Sequence, residues 1–118
     1  MLFVEYPKCT TCQKAKKWLQ ENDFEFIDRH IKEDRPTIDE LKEWHARSGL
    51  ELKKFFNTSG LQYKELKLKD KLPTMTDEEK YELLASDGML VKRPVLVTDD
   101  VILLGFKAET WAAKLAEK

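Results

Sequence analysis

The stretch Leu2-Phe3-Val4-Glu5-Tyr6-Pro7-Lys8-Cys9-Thr10-Thr11-Cys12 decides the fold. Residues 2–6 alternate as a strand does, Pro7 and Lys8 break it, and a helix is predicted from Cys9 to about Asn22. Within that helix Cys12, Ala15, Trp18, Leu19 and Asn22 recur at i, i+3 and i+4 spacing, which defines a mostly apolar face. Lys14, Lys16, Lys17 and Glu21 fall on the solvated side. Phe24-Glu25-Phe26-Ile27-Asp28 then reads as a second strand. Strand, helix and strand in so short a span form a βαβ unit, which implies parallel strands and a right-handed crossover.

Downstream the pattern turns helical. Thr37-Ile38-Asp39-Glu40 is a capping box, Ile38, Leu41, Trp44 and His45 mark the apolar face that follows, and Gly49 ends it. Short helices are predicted over 51–55 and 61–66, separated by Asn57-Thr58-Ser59-Gly60. A second capping box, Thr76-Asp77-Glu78-Glu79, starts a helix carrying Tyr81, Leu83 and Leu84 that stops at Asp87-Gly88. After Arg93-Pro94 the period changes again. Residues 95–98 and 101–104 are short β-branched runs joined by Asp99-Asp100, a hairpin signal. Residues 108–117 close the chain as a helix with Trp111, Ala112 and Leu115 facing inward. The order βαβ, helical block, ββα makes an α/β protein, and with no repeat, linker or low-complexity tract one domain over 1–118 is expected.

Bulk composition narrows the function. At 118 residues with 42% hydrophobic residues the chain can bury a core without staples. A formal net charge of -1 gives no global attraction to nucleic acid or an anionic membrane, so direct nucleic-acid binding is not expected. No apolar run approaches the roughly 20 residues of a membrane span. The N-terminus lacks a basic segment followed by a long apolar one, so a cytoplasmic protein is expected. The two cysteines, Cys9 and Cys12, close too small a ring to serve as a staple, and reactivity is the better reason for them.

Cys9 lies where a strand gives way to a helix, so unpaired N–H groups and the positive end of the helix dipole favour its thiolate, with the charge of Lys8 nearby. Cys12, one turn later on the apolar face, is expected to be more buried and less acidic. That asymmetry suggests that Cys9 attacks and Cys12 resolves. Two other readings stay open: a half zinc site completed by His30 and His45, which lack the usual spacing, and Cys12 as a small core residue beside a solitary reactive Cys9. Arg93-Pro94, just before a predicted strand, is the second candidate. A cis peptide there would turn the chain back toward Cys9, and Arg93 would offer a fork of donors to an oxyanion or stabilise the thiolate; taken alone, the pair reads equally as a surface arginine before an ordinary turn proline.

With those pieces in place the chain resembles the arsenate reductase/Spx family, the glutaredoxin-linked ArsC proteins and the Spx-type regulators. The resemblance spans nearly the whole chain. It rests on Tyr6-Pro7-Lys8-Cys9-Thr10-Thr11-Cys12-Gln13-Lys14-Ala15, on Phe56-Asn57-Thr58-Ser59-Gly60, and on Lys92-Arg93-Pro94 followed by two strands and Gly105-Phe106. It implies a thioredoxin-like fold with a mixed four-stranded sheet and a helical insertion at about 37–88. It also implies Cys9 as nucleophile, with Arg93 beside it. Lys8, Thr10, Thr11, Pro94 and Lys107 are the further residues expected around an oxyanion. No bound cofactor is implied; electrons would come from glutathione and glutaredoxin, thioredoxin or another low-molecular-weight thiol.

Arsenate-reducing members surround the oxyanion with three arginines, and only Arg93 matches one of them. After Gly105 the basic residue is Lys107, which keeps the charge and loses the bidentate fork. The residues therefore point to a thiol-dependent oxidoreductase and away from a dedicated arsenate site. Cys12 is similar to the second cysteine of the Spx branch. That branch implies the alternative, a redox-sensing regulator that binds the C-terminal domain of the RNA polymerase α subunit.

Overall fold

The computed structural model describes residues 1–115, so the end of the last predicted helix, 116–117, lies outside the described residues. The chain divides into two compact units, one made of Met1–His30 with the segment from Arg93 onward, the other of Ile31–Lys92.

The first unit is the βαβ…ββα part. Strand β1 (Leu2–Glu5) leads through helix α1 (Thr10–Glu21) to β2 (Ile27–His30), and the hairpin β3 (Val95–Val97) and β4 (Ile102–Leu104) leads into α6 (Ala108–Leu115). The sheet runs β2-β1-β3-β4, with β2 parallel to β1 and both β3 pairings antiparallel. Phe3, Leu96 and Leu103 are successive cross-strand partners. They bury one sheet face against Ala15 and Leu19 of α1 and Trp111 and Leu115 of α6. Side chains of this size contribute roughly 1.5–3 kcal/mol each when buried, which makes this cluster the main support of α1.

Three expectations need correction here. The second strand lies at Ile27–His30 and not at 24–28. Asp23 takes a left-handed φ of 59° as α1 ends, and the Phe24 N–H donates to the Leu19 carbonyl at 3.0 Å. Phe24 then stacks on Trp18 and Phe26 meets Phe3 edge-on, so their aromatic alternation serves the core and not a ladder. Asn22 is exposed and caps α1, its Nδ2 donating to the Trp18 carbonyl at 2.8 Å. Ala112 is exposed as well, since Trp111 and Leu115 alone carry the buried face of α6.

The β3–β4 turn holds without glycine because Thr98 supplies the turn chemistry. Its Oγ1 accepts from the N–H groups of Asp100 and Val101, and its hydroxyl donates to the Val101 carbonyl at 3.1 Å. Beyond β4 the Gly105 N–H donates to the Pro94 carbonyl at 2.9 Å, tying the hairpin's open end to the loop that enters β3.

The second unit is helical. Helices α2 (Ile38–Ser48) and α5 (Asp77–Ser86) pack together, each opened by the expected capping box, and Gly49 ends α2 at φ 69°. A hydrogen bond of 2.6 Å between His45 Nδ1 and Tyr81 Oη joins the two helices. Between them come a 3-10 turn at Leu52–Phe55, α3 (Leu61–Glu65), α4 (Leu68–Lys71) and a second 3-10 turn at Leu72–Thr74. Helix α4 is not predicted from the sequence. Lys67 enters it at a left-handed φ of 54°, a break that no glycine or asparagine announces. Gly88 does more than stop α5: a Cβ there would collide with the Ile31 carbonyl oxygen, so only glycine permits that approach.

Candidate active site

Cys9 is the N-cap of α1, extended at φ -82° and ψ 122°, and a turn in which its N–H donates to the Tyr6 carbonyl at 2.9 Å holds it there. Its own carbonyl accepts from the Gln13 N–H at 3.0 Å, and the Gln13 side chain donates to the Pro7 carbonyl at 2.8 Å. The loop 7–9 is thus fastened to the first turn of the helix. No side-chain oxygen caps the start of α1, which leaves its first N–H groups to the sulfur of Cys9.

Partial burial on its own pushes the Cys9 thiol up. The N–H and S–H of Cys12, the Arg93 charge and the N–H of Thr11 outweigh it, and the net effect holds Cys9 below the ordinary thiol value. Cys12 goes the other way. It is fully buried, and burial, the neighbouring Cys9 and the carboxyl of Glu5 push it up to about 12 against one N–H bond from Tyr6. Both thiols are free.

The Arg93–Pro94 peptide is cis, and Pro94 is buried. The Arg93 guanidinium lies 5.4 Å from the Tyr6 ring centroid, a cation–π placement on the residue that also bonds Cys9 and Cys12. Thr10 and Thr11 are the first residues of α1, both exposed, and Thr11 contributes through its backbone. Lys8 is exposed on the loop, and the side-chain cation among the leading influences on Cys9 is Arg93. Lys107 is exposed just ahead of α6, where its carbonyl accepts the Trp111 N–H at 2.9 Å. His30 meets the Tyr6 ring edge-on, while His45 belongs to the helical unit. Among the described residues no group of three or more His, Cys, Asp or Glu is arranged to hold a metal ion.

Sequence reasoning missed the acidic side of this site. Glu5, at the end of β1, is 2% exposed. Burial, a hydrogen bond to Asp28 and the Asp28 charge raise it to about 7 against the pull of Lys16. Lys16 Nζ lies 2.6 Å from Asp28 Oδ2 and 3.7 Å from Glu5 Oε2. A signal was available: Glu5 sits two residues after Phe3, on the strand face that the core claims.

A mixed sheet with a CxxC at its first strand-to-helix junction and a cis-proline loop entering the third strand defines a thioredoxin-like α/β protein. The model described as "ArsC family" matches residues 4–114, and the chain belongs to that family. The Bacillus subtilis protein YusI is 53% identical over 95% of this chain and 98% of its own length. The Global transcriptional regulator Spx of Staphylococcus epidermidis is 30% identical, covering 87% of this chain and 77% of that one. Among solved structures, an ArsC family related protein from Bacteroides fragilis superposes with a TM-score of 0.92 at 61% identity, over 95% of this chain and 94% of the other. Among the described residues no helix is long and apolar enough to cross a membrane.

Proposed function

We propose that the chain is a thiol-dependent oxidoreductase in which Cys9 is the nucleophile and Cys12 the resolving thiol. The observation that carries this reading is the opposite treatment of two thiols one helical turn apart. Cys9 is an anion-friendly N-cap under the Arg93 charge, and Cys12 is a buried thiol held neutral up to about 12. The Cys9 thiolate attacks an oxidised sulfur and forms a bond to it, and the Cys12 sulfur then displaces the bound thiol and closes a Cys9–Cys12 disulfide. Glutathione with glutaredoxin, thioredoxin or another small thiol would reduce that disulfide, and no resident cofactor is needed. Arg93 is the donor available to an oxyanion, with Lys107 lacking the fork. We therefore place arsenate second to disulfides as substrate.

Alkylation rate against pH tests the first half. Cys9 should titrate clearly below the free-thiol value of about 8.5; a value at or above it rejects the activated nucleophile. Turnover of small-molecule and protein disulfides, and of arsenate, coupled to glutaredoxin tests the second half. No turnover of any of them rejects the enzyme.

The similarity to Spx supports a second reading, a redox-switched regulator that binds the RNA polymerase α subunit. Capture of RNA polymerase by the reduced or the oxidised protein alone would favour it. Equal failure of both forms counts against it.

A further inference from the structure

The helical unit holds a cleft of about 550 Å³ that the thiol chemistry does not use, and every residue lining it belongs to that unit. The volume suits a small organic ligand. Four lysines ring it: Lys53 and Lys54 from the 3-10 turn, Lys69 from α4, and Lys92 from the end of the unit. Backbone pairing explains how the chain gathers them. The Asn57 N–H donates to the Leu90 carbonyl at 2.7 Å and the Lys92 N–H to the Phe55 carbonyl at 2.8 Å, so Lys54 and Lys92, distant in sequence, reach the same cleft.

Like charges gathered in this way repel one another unless carboxylates offset them. Among the described residues none of these four ammonium groups lies in an ion pair, whereas Lys16, Lys42 and Lys80 each meet a carboxylate. Glu51 is the one carboxylate on the lining, in a chain whose formal net charge is -1. A concave surface of one sign focuses its field and concentrates anions. The aromatic lining adds an independent sign. Tyr63 is 6% exposed and meets the buried Phe56 edge-on, with 6.5 Å between ring centroids. Its hydroxyl has no hydrogen-bond partner among the described residues and is not sealed into the core. A buried phenol normally finds a partner, so this one is open to an acceptor from outside the chain.

We propose that the cleft binds a small phosphorylated molecule carrying two or more negative charges, its phosphoryl oxygens held by the lysines and the Tyr63 hydroxyl. Ammonium groups arriving from a turn, a helix and a loop suit a tetrahedral group, whose oxygens point in several directions, better than a flat carboxylate. Each is a compact charge with rotatable donors. The rest of the volume takes the body of the ligand beside Phe56 and Tyr63. A long polyanion gains nothing from the chain as a whole, whose charge is slightly negative, so the ligand is a small molecule. Binding here needs neither cysteine, and it stands or falls apart from the thiol chemistry.

Isothermal titration of the full reduced chain with pyrophosphate tests the site. One equivalent should bind, and binding should weaken as salt rises. Lys54→Met combined with Lys92→Met should weaken it by about tenfold. Tyr63→Phe keeps the ring and should weaken it by about threefold. All four lysines are exposed, so their replacement leaves the packing intact. Lys14→Met combined with Lys17→Met, two exposed positions on α1, should leave binding unchanged. Arg93→Met, which removes the oxyanion donor of the thiol site, should leave it unchanged as well. Absence of pyrophosphate binding overturns the proposal. So does an equal loss in the α1 pair, which marks a diffuse field, or a loss confined to Arg93→Met, which puts the anion at the thiol. Citrate binding as tightly as pyrophosphate overturns the choice of phosphate. A short RNA that displaces pyrophosphate and binds more tightly makes the cleft a nucleic-acid surface and overturns the small-molecule assignment.

Discussion

Arg93 is the side-chain charge that favours the Cys9 thiolate, and its aliphatic stem can be kept while the charge is removed. In Arg93→Met the Cys9 titration followed by iodoacetamide should shift upward by about one unit. Thiolate near neutral pH should fall roughly tenfold. Arg93→Lys keeps a charge without the planar fork and should recover part of the shift. Glu5 gives a prediction of a different kind. Its carboxyl is raised above its unfolded value, so the stability it confers is complete below the ordinary carboxylate range and is lost as pH rises through about 7. Asp28, lowered by Glu5, Lys16 and His30 despite its own partial burial, works in the opposite sense at lower pH. Urea unfolding should therefore show the native chain losing about 2 kcal/mol between pH 5 and pH 8 relative to Glu5→Gln. Cys9, Cys12 and Arg93 were visible because their types and positions carry chemistry. Glu5 looks like an ordinary strand residue by type, and only its place two residues after Phe3 puts it on the face that the core takes.

Helix starts were the most legible elements, because a capping box is a local contract between two side chains and two backbone groups. Both boxes form: Thr37 accepts the Glu40 N–H at 3.1 Å and Thr76 accepts that of Glu79 at 3.2 Å, and each glutamate returns a bond of 3.0 Å. Thr37→Ala or Thr76→Ala should each lower stability by about 1 kcal/mol, measured by thermal or urea unfolding. Elements set by distant partners were less legible. The shift of β2 by several residues depends on where Phe24 and Phe26 find Trp18 and Phe3, which no local window contains. Helix α4 depends on Lys67 adopting a left-handed turn that glycine or asparagine would have advertised. The β3–β4 hairpin forms where Asp99-Asp100 gives only a weak signal, and the reason it works, the three bonds of Thr98, lies one residue earlier.

At the scale of the molecule, the class of fold followed from the order of elements, and membership of the ArsC family agrees with it. The sheet order leaves β2 at one border, and that has a consequence for how copies of the chain behave at high concentration. An open strand is a template for another strand, and Ile27, 70% exposed, would invite one. The residues that follow it, Asp28, Arg29 and His30, are all polar or charged, so a second copy that tried to extend the sheet would have to strip water from them. The carboxylate that tethers Lys16 is in this sense also a guard against fibre growth. The double substitution Asp28→Val with Arg29→Val would extend the apolar border from Ile27 along most of β2. Static light scattering during mild heating should then register self-association at lower protein concentration than in the native chain.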